Sequence, residues 1–358
     1  MASAAPTLEY PFGETPAPGT TFTVAPGVHW LRMPLPFKLD HINLWLLEDE
    51  PEGAPGWTIV DTGLGDAGTR ALWERLIETR IANRPVRRVV VTHYHPDHAG
   101  NADWLARRFG AALWMTQGEY LTAHAVREGF AGYTTEAVLA VFRRNGLPGE
   151  LLAAMQARGN NRYAQLVPEF PHSYRRVIEG DPVRIGRHTW RAIVGHGHAP
   201  EHLTLHCEAL GVAIAGDMLL STISTNVSVW SIDPEGDPLR LFLESVARYR
   251  ELPAGTLILP SHGRPFRGAH ERVAQLEAHH EARLAELESA LSGGPRSAGE
   301  LLAVIFPRRL DAHDTFFAMG EAIAHLHYLY YAGRIARSAG ADGVVRYALR
   351  AGMARATA

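Results

Sequence analysis

The sequence predicts an α/β fold that carries its chemistry at the ends of strands, and three observations lead to it. Short apolar runs at 57–60, 89–91, 190–194, 213–215 and 257–259 read as buried strands, each followed within a few residues by Asp or His. An amphipathic segment carrying Leu72, Leu76 and Ile77 separates the first two, as a helix between strands would. Most informative is Thr92-His93-Tyr94-His95-Pro96-Asp97-His98, three imidazoles and one carboxylate in six positions.

Residues 1–22 read as a loose arm, because Glu9, Glu14 and several prolines interrupt any apolar run. Strands follow at 28–32, 43–47 and 57–60, then the amphipathic helix after Asp61. On a strand continuing from Val91, alternation turns His93 and His95 to one face. Pro96 forces a turn, and Asp97 and His98 open a helix through Ala102, Leu105, Ala106 and Phe109 that stops at Gly110. This half covers 23–115. A second half covers 181–262, with a helix at 238–251 capped by Asp237 and begun by Pro238. Between them, 116–180 is too long for a plain connection. It reads as helices at 119–127, 135–144 and 148–157, then a loop. We expect it to be a substrate-shaping lid, with Tyr133, Tyr163, Phe170, Tyr174, Arg175 and Arg176 as candidate contacts.

Imidazole and carboxylate are the ligands that divalent zinc, iron or manganese accept. Further donors lie at His196, His198 and His202, at Asp217 and at His262, each just beyond a strand. With H-x-H-x-D-H followed by separate His, Asp and His positions, the chain resembles the metallo-β-lactamase superfamily over residues 27–266. The resemblance implies a four-layer αβ/βα sandwich and two divalent ions, zinc ahead of iron or manganese. His93, His95 and His198 would hold the first ion, Asp97, His98 and His262 the second, and Asp217 would bridge both. His198 is preferred over His196 because the family places another histidine four residues after the ligand, and His202 keeps that spacing. Asp61, in Thr58-Ile59-Val60-Asp61-Thr62-Gly63, and His202 would stand behind the ligands. The implied reaction is hydrolysis without an organic cofactor. Two ions about 3.5–4 Å apart share a hydroxide, because a bound water ionises near pH 7. Asp97 and Asp217 are then the catalytic carboxylates. His95 stands where di-iron oxygen-reducing relatives carry glutamate, which favours a zinc-type hydrolase. Mono-iron persulfide dioxygenases also keep that histidine and form an alternative.

A formal charge of −3 and a pI near 6.7 give no general pull toward nucleic acid or anionic membrane. Lys38 is the single lysine. The single cysteine, Cys207, excludes an internal disulfide and reads as core. No apolar run reaches the roughly 18 residues that cross a bilayer, so a cytoplasmic enzyme is expected. From 266 to 358, helices around Leu276–Leu291, after Ser297 and over 314–332 precede a hairpin-like end, resembling the winged-helix appendix of one branch of the superfamily. Residues 267–358 hold 11 Arg and 10 Asp plus Glu, a net of +1. That is too little for phosphate binding, so a structural or homodimer-forming role is expected, and His279, His280, His313, His325 and His327 read as packed or solvated. The leading substrate is a small thioester, ester or lactone. A nuclease is the alternative, with Arg143, Arg144, Arg175 and Arg176 as its basic channel, and a metal-sensing DNA binder is a third reading.

Overall fold

The computed structural model describes residues 7–50, 54–82, 84–157 and 162–350. The tips of the expected arm (1–6) and C-terminal region (351–358), and 158–161 of the insertion, lie outside the described residues. Two compact units emerge: Met1–Glu128 with Arg162–Thr225 and Ser245–Val273, and Gly129–Asn161 with Asn226–Glu244 and Ala274–Ala358. Residues 129–161 and 226–244, expected within the catalytic part that ends at 265, group with the C-terminal region.

In the first unit, seven strands form one sheet in sequence order. They are β1 (Phe22–Ala25), β2 (Val28–Pro34), β3 (His41–Glu48), β4 (Trp57–Val60), β5 (Val86–Val90), β6 (Ala112–Met115) and β7 (Arg175–Arg176). Pairing is antiparallel as far as β4 and parallel from β4 to β7. A second sheet has the order β12 (Leu257–Pro260), β11 (Val212–Gly216), β10 (His202–Cys207), β9 (His188–Gly195), β8 (Pro182–Ile185).

Strand alternation builds the layers. Val28 and Trp30 of β2, with Trp45 and Leu47 of β3, pack with Trp190, Leu203, Leu205, Leu257 and Leu259 between the sheets. The intervening Leu31, Met33, Leu44 and Leu46 turn the other way, onto Trp73 and Leu76 of α1 (Ala67–Leu76) and Leu105 of α3 (Ala102–Phe109). Each such fully buried side chain contributes about 1.5–3 kcal/mol. Ser245 and Arg248 bond to His196 and Val194 at the end of β9, and Tyr249 to Thr204 of β10. The result is an α/β fold with two central sheets and helices outside them.

The described arm residues are seated rather than loose. Glu9 and Arg267 exchange backbone hydrogen bonds at 3.2 and 2.8 Å, and Phe12 meets Phe22 edge-on at 5.3 Å. The strand expected to carry His93 and His95 stops at Val90, where Thr92 N–H turns to Asp61; the two histidines lie on a bend ahead of α2 (Pro96–Ala99), which Pro96 opens. The insertion is split. Its ends, with α4 (Gln117–Arg127) and an unexpected short helix α7 (Arg162–Leu166), belong to the first unit, and α5 (Thr135–Arg144) and α6 (Gly149–Gln156) to the second. No helix among the described residues is long and apolar enough to cross a membrane.

The physical reason for the split is the apolar face of α5. In the second unit Phe142 meets Phe316 of α11 (Ala312–Tyr331) edge-on at 6.0 Å, and Trp230 approaches the same ring at 5.7 Å. Helix α10 (Ala298–Ile305) starts in a full capping box between Ser297 and Glu300. Antiparallel β13 (Ile335–Ala339) and β14 (Val345–Leu349) close the described chain. Ile323, Leu326 and Leu329 of α11 are buried, whereas Phe317 is exposed.

Candidate metal centre

Seven donor groups converge in the first unit, beyond the ends of β5, β9, β11 and β12. One set joins His93, His95, His198 and Asp217, and another joins Asp97, His98 and His262. In the first, His93 Nε2 lies 2.8 Å from His95 Nδ1 and 3.3 Å from His198 Nε2. Asp217 Oδ2 stands 3.5 Å from His198 Nε2 and 3.9 Å from His93 Nε2. In the second, His262 Nε2 is 3.4 Å from Asp97 Oδ2, and His98 Nε2 is 3.8 Å from it. The other oxygen of Asp217, Oδ1, turns to this set, at 3.4 Å from His262 Nε2 and 3.6 Å from His98 Nε2.

These spacings test whether cations fit. Two ligands at about 2.0–2.1 Å from one tetrahedral zinc lie about 3.3 Å from each other, close to most of the separations above. His98 Nε2 and Asp217 Oδ1 are buried and make no hydrogen bond, a costly arrangement for polar atoms unless a cation satisfies them. The electrostatics agree. Burial and neighbouring imidazoles hold His93 and His95 well below their usual range, so their nitrogens carry lone pairs. Burial works against a charged His98 and His262, yet Asp61, Asp97 and Asp217 lift the first and Asp217 and Asp97 the second. Burial also opposes the Asp217 carboxylate, but His262 and His98 hold it well below the usual range. The residues present therefore suit a pair of divalent cations.

Behind the ligands, backbone and side chains fix ring orientation. Asp61 accepts from His98 Nδ1 at 2.8 Å and from Thr92 N at 2.8 Å, which leaves His98 Nε2 facing the centre. Asp61 itself has φ 61°, a left-handed backbone uncommon for a residue with a side chain. His262 Nδ1 donates to the His41 carbonyl at 2.8 Å. His202 Nε2 accepts from Asp217 N at 3.1 Å, one layer behind the carboxylate. At the neighbouring Gly216, φ 53°, a Cβ would fall 2.4 Å from the His202 ring, so only glycine fits there. His196 turns away, 2.6 Å from the Pro200 carbonyl.

The residues expected to touch substrate have other partners. Tyr163 Oη donates to the Tyr94 carbonyl at 2.5 Å, Tyr174 stacks on Tyr120 at 3.8 Å, and the Arg175 guanidinium lies 4.5 Å over Trp114. Phe170 is buried in the core. Tyr133 belongs to the second unit, as do Arg143 and Arg144, the latter 3.6 Å from Glu235. Tyr163, Phe170 and Tyr174 thus make packing or hydrogen-bond contacts within the first unit. Sequence reasoning missed His41, Thr92 and Glu119. Glu119 is buried and accepts backbone hydrogen bonds from Tyr94 and Glu201, while burial pushes its carboxyl up to about 8. None of the three sits in a spacing pattern that would mark it.

The chain is similar to known proteins. Residues 38–262 match the metallo-beta-lactamase superfamily domain, and 284–350 match the metallo-beta-lactamase-like C-terminal domain. The crystal structure of a beta-lactamase domain protein from Burkholderia ambifaria is 50% identical, covers 96% of this chain and 98% of its own, and superposes with a TM-score of 0.89. A metallo-beta-lactamase family protein from Thermus thermophilus is 31% identical over 92% of this chain and 100% of its own, with a TM-score of 0.75. The Bacillus subtilis (strain 168) protein named "Probable metallo-hydrolase YqjP" is 23% identical over 304 residues, 84% of this chain and 91% of that one.

Proposed function

The chain belongs to the metallo-beta-lactamase superfamily, and we propose that it is a metal-dependent hydrolase of a small thioester, ester or lactone. The observation that carries the reading is Asp217, whose two oxygens face different donor sets at 3.4–3.5 Å. His93, His95 and His198 would hold one ion, and Asp97, His98 and His262 the other, zinc being the first candidate. When bound, such a pair ionises water near neutral pH and polarises the substrate oxygen. Asp217 ties the two subsites together. Asp97 is the more accessible of the two carboxylates, its side chain 16% exposed against 10% for Asp217, and in this reading it would take up a proton as the substrate bond breaks.

Charge supports a small substrate over a polyanion. In the second unit Arg334 pairs with Glu281 and Glu288, Arg337 with Glu235, and Arg346 with Asp342, so these guanidiniums are already neutralised. We read that unit's C-terminal part as a winged-helix-like appendix that packs, in a cytoplasmic protein, without gripping phosphate. Metal analysis of purified protein and one assay panel test the proposal: an acylglutathione, an acyl-homoserine lactone, a β-lactam, a phosphodiester and single-stranded RNA. Two zinc per chain with turnover of a thioester or lactone is the expected result. A single iron would favour the persulfide dioxygenase reading, and cleavage of the phosphodiester or RNA alone would favour the nuclease.

A further inference from the structure

One residue, Tyr94, stands between the ligands His93 and His95, and both of its peptide groups are held by the insertion. Its N–H donates to Glu119 Oε2 at 2.9 Å, and its carbonyl accepts from Tyr163 Oη at 2.5 Å. Glu119 comes from α4 and Tyr163 from α7, both in the first unit. The other oxygen of Glu119 accepts from Glu201 N at 2.6 Å, three residues past His198. That second loop is latched in return: Glu201 Oε2 accepts from Gly118 N at 2.7 Å, and Thr116 Oγ1 donates to the Glu201 carbonyl at 2.7 Å. A Cβ at Gly118 would lie 3.0 Å from the Glu201 side chain, so the approach is close. Glu119 is fully buried. Both its oxygens accept from N–H donors, bonds that favour the carboxylate against the burial that raises its pKa.

We propose that Glu119 and Tyr163 are positioning residues that clamp the Tyr94 peptides and the His198 loop, and so set the three-histidine subsite. This rests on the reading that His93, His95 and His198 hold a metal ion. A buried carboxylate bridging two ligand loops fixes the distance between them. Productive metal geometry tolerates only about 0.5 Å of error. The insertion would then serve the metal from behind, and Tyr163 would govern affinity for the ion in place of choice of substrate.

The test compares full-length wild type with Glu119→Gln and Tyr163→Phe. Glu119→Gln puts an amide N–H against one backbone donor. Tyr163→Phe removes a single hydroxyl. Each metal-free protein is titrated with Zn2+ in competition with a chromophoric chelator and with Co2+ read by its visible spectrum, and its melting is followed separately. Glu119→Gln should weaken one of the two ions by about 10-fold or more, the scale of losing a partner behind a ligand, and alter the cobalt bands. Tyr163→Phe should do the same by a few-fold. Wild-type affinity and spectrum in a folded Glu119→Gln protein, whatever its melting temperature, overturn the clamp. If that variant does not fold, unchanged affinity and spectrum in Tyr163→Phe overturn it. Wild type that takes up no metal overturns the metal-site reading itself, and the clamp with it.

Discussion

Both units bury histidines, but the first gathers several of them around two shared carboxylates. In the first, His93, His98, His198 and His262 surround Asp97 and Asp217 with orphaned ligand atoms between them. In the second, His280, His325 and His327 are equally buried, yet their nitrogens turn to one another, to backbone or to Arg337, except His280 Nε2, which makes no hydrogen bond. His280 Nδ1 is 3.1 Å from His325 Nε2, His325 Nδ1 donates to the Glu321 carbonyl at 2.8 Å, and His327 Nδ1 to the Gly236 carbonyl at 2.8 Å. The Glu321 carboxylate accepts from Asn226 at 3.1 Å. Burial drives His280 down to about 3 and His325 to about 4, whereas carboxylates lift His98 and His262. Counting buried imidazoles would therefore mistake one unit for the other. What separates them is carboxylate convergence, which strand ends supply and these helix faces do not.

The sharpest way to break the comparison is to remove the shared carboxylate. Asp217→Ala should abolish uptake of at least one ion and lower turnover by more than about 100-fold, since even the partner behind a ligand is worth roughly 10–100-fold. Folding, followed by circular dichroism, should survive. Two ions bound with normal turnover would end the bridging assignment. Asp61→Asn comes next. Asparagine tolerates the left-handed backbone at this position, so the substitution isolates the carboxylate's hold on His98 Nδ1–H. Affinity for one ion should fall about 10–100-fold with little change in melting, and chelator competition measures it. An unchanged affinity would show that Thr92 and the backbone orient His98 without Asp61.

Much of this contrast was legible in the residues themselves. The ligands announce themselves because imidazoles and carboxylates follow strand-like runs, and most strands fell where apolar alternation put them. Two kinds of feature were not legible. The bend at 91–95 replaces a pleat, because chain direction after Val90 depends on tertiary hydrogen bonds such as Thr92 N to Asp61. Division of the insertion was hidden because the same aromatic residues suit a lid, a core or a domain contact. Phe142 resolves only when Phe316, far along the chain, is seen beside it. Glu119 and His41 act through backbone groups, which leave no trace in side-chain spacing.

Acid sensitivity sharpens the comparison from the second unit. Folded His280 and His325 titrate near 3 and 4 against 6.5 when unfolded, so the unfolded chain binds protons first as pH falls. Their stabilisation is complete above pH 6.5 and is lost as pH drops toward 4, at about 1.4 kcal/mol per pH unit for each group. Glu321 runs opposite: burial raises it from 4.5 to about 7, so it costs stability as pH rises through that window. Between pH 4.5 and 6.5 these two histidines outweigh the one glutamate, and burial lowers His327 in the same direction. Removing one histidine by His280→Leu should flatten the slope by one group's share, about 1.4 kcal/mol per pH unit. Urea unfolding at pH 5 and 6.5, with metal chelated in both proteins, measures the difference. Equal slopes in variant and wild type would mean that the pair does not titrate as a buried pair.

The smallest effect concerns a helix start with no tie to metal. Ser297 Oγ accepts from Glu300 N at 3.3 Å, and the Glu300 carboxylate accepts from Ser297 N at 2.7 Å, so two backbone donors at the start of α10 are satisfied. Ser297→Ala removes the hydroxyl and leaves the Glu300 bond in place, which should cost about 1 kcal/mol. Space is not a confounder, because alanine is smaller and Gly146 already lies against this side chain. The informative readout is metal affinity alongside stability. A loss of about 1 kcal/mol by urea unfolding, with ion binding untouched, fits a second unit whose buried polar groups serve its own fold. A matching loss of ion affinity would mean that the metal centre draws on the second unit's stability, and the distinction between the two histidine clusters would then be one of degree.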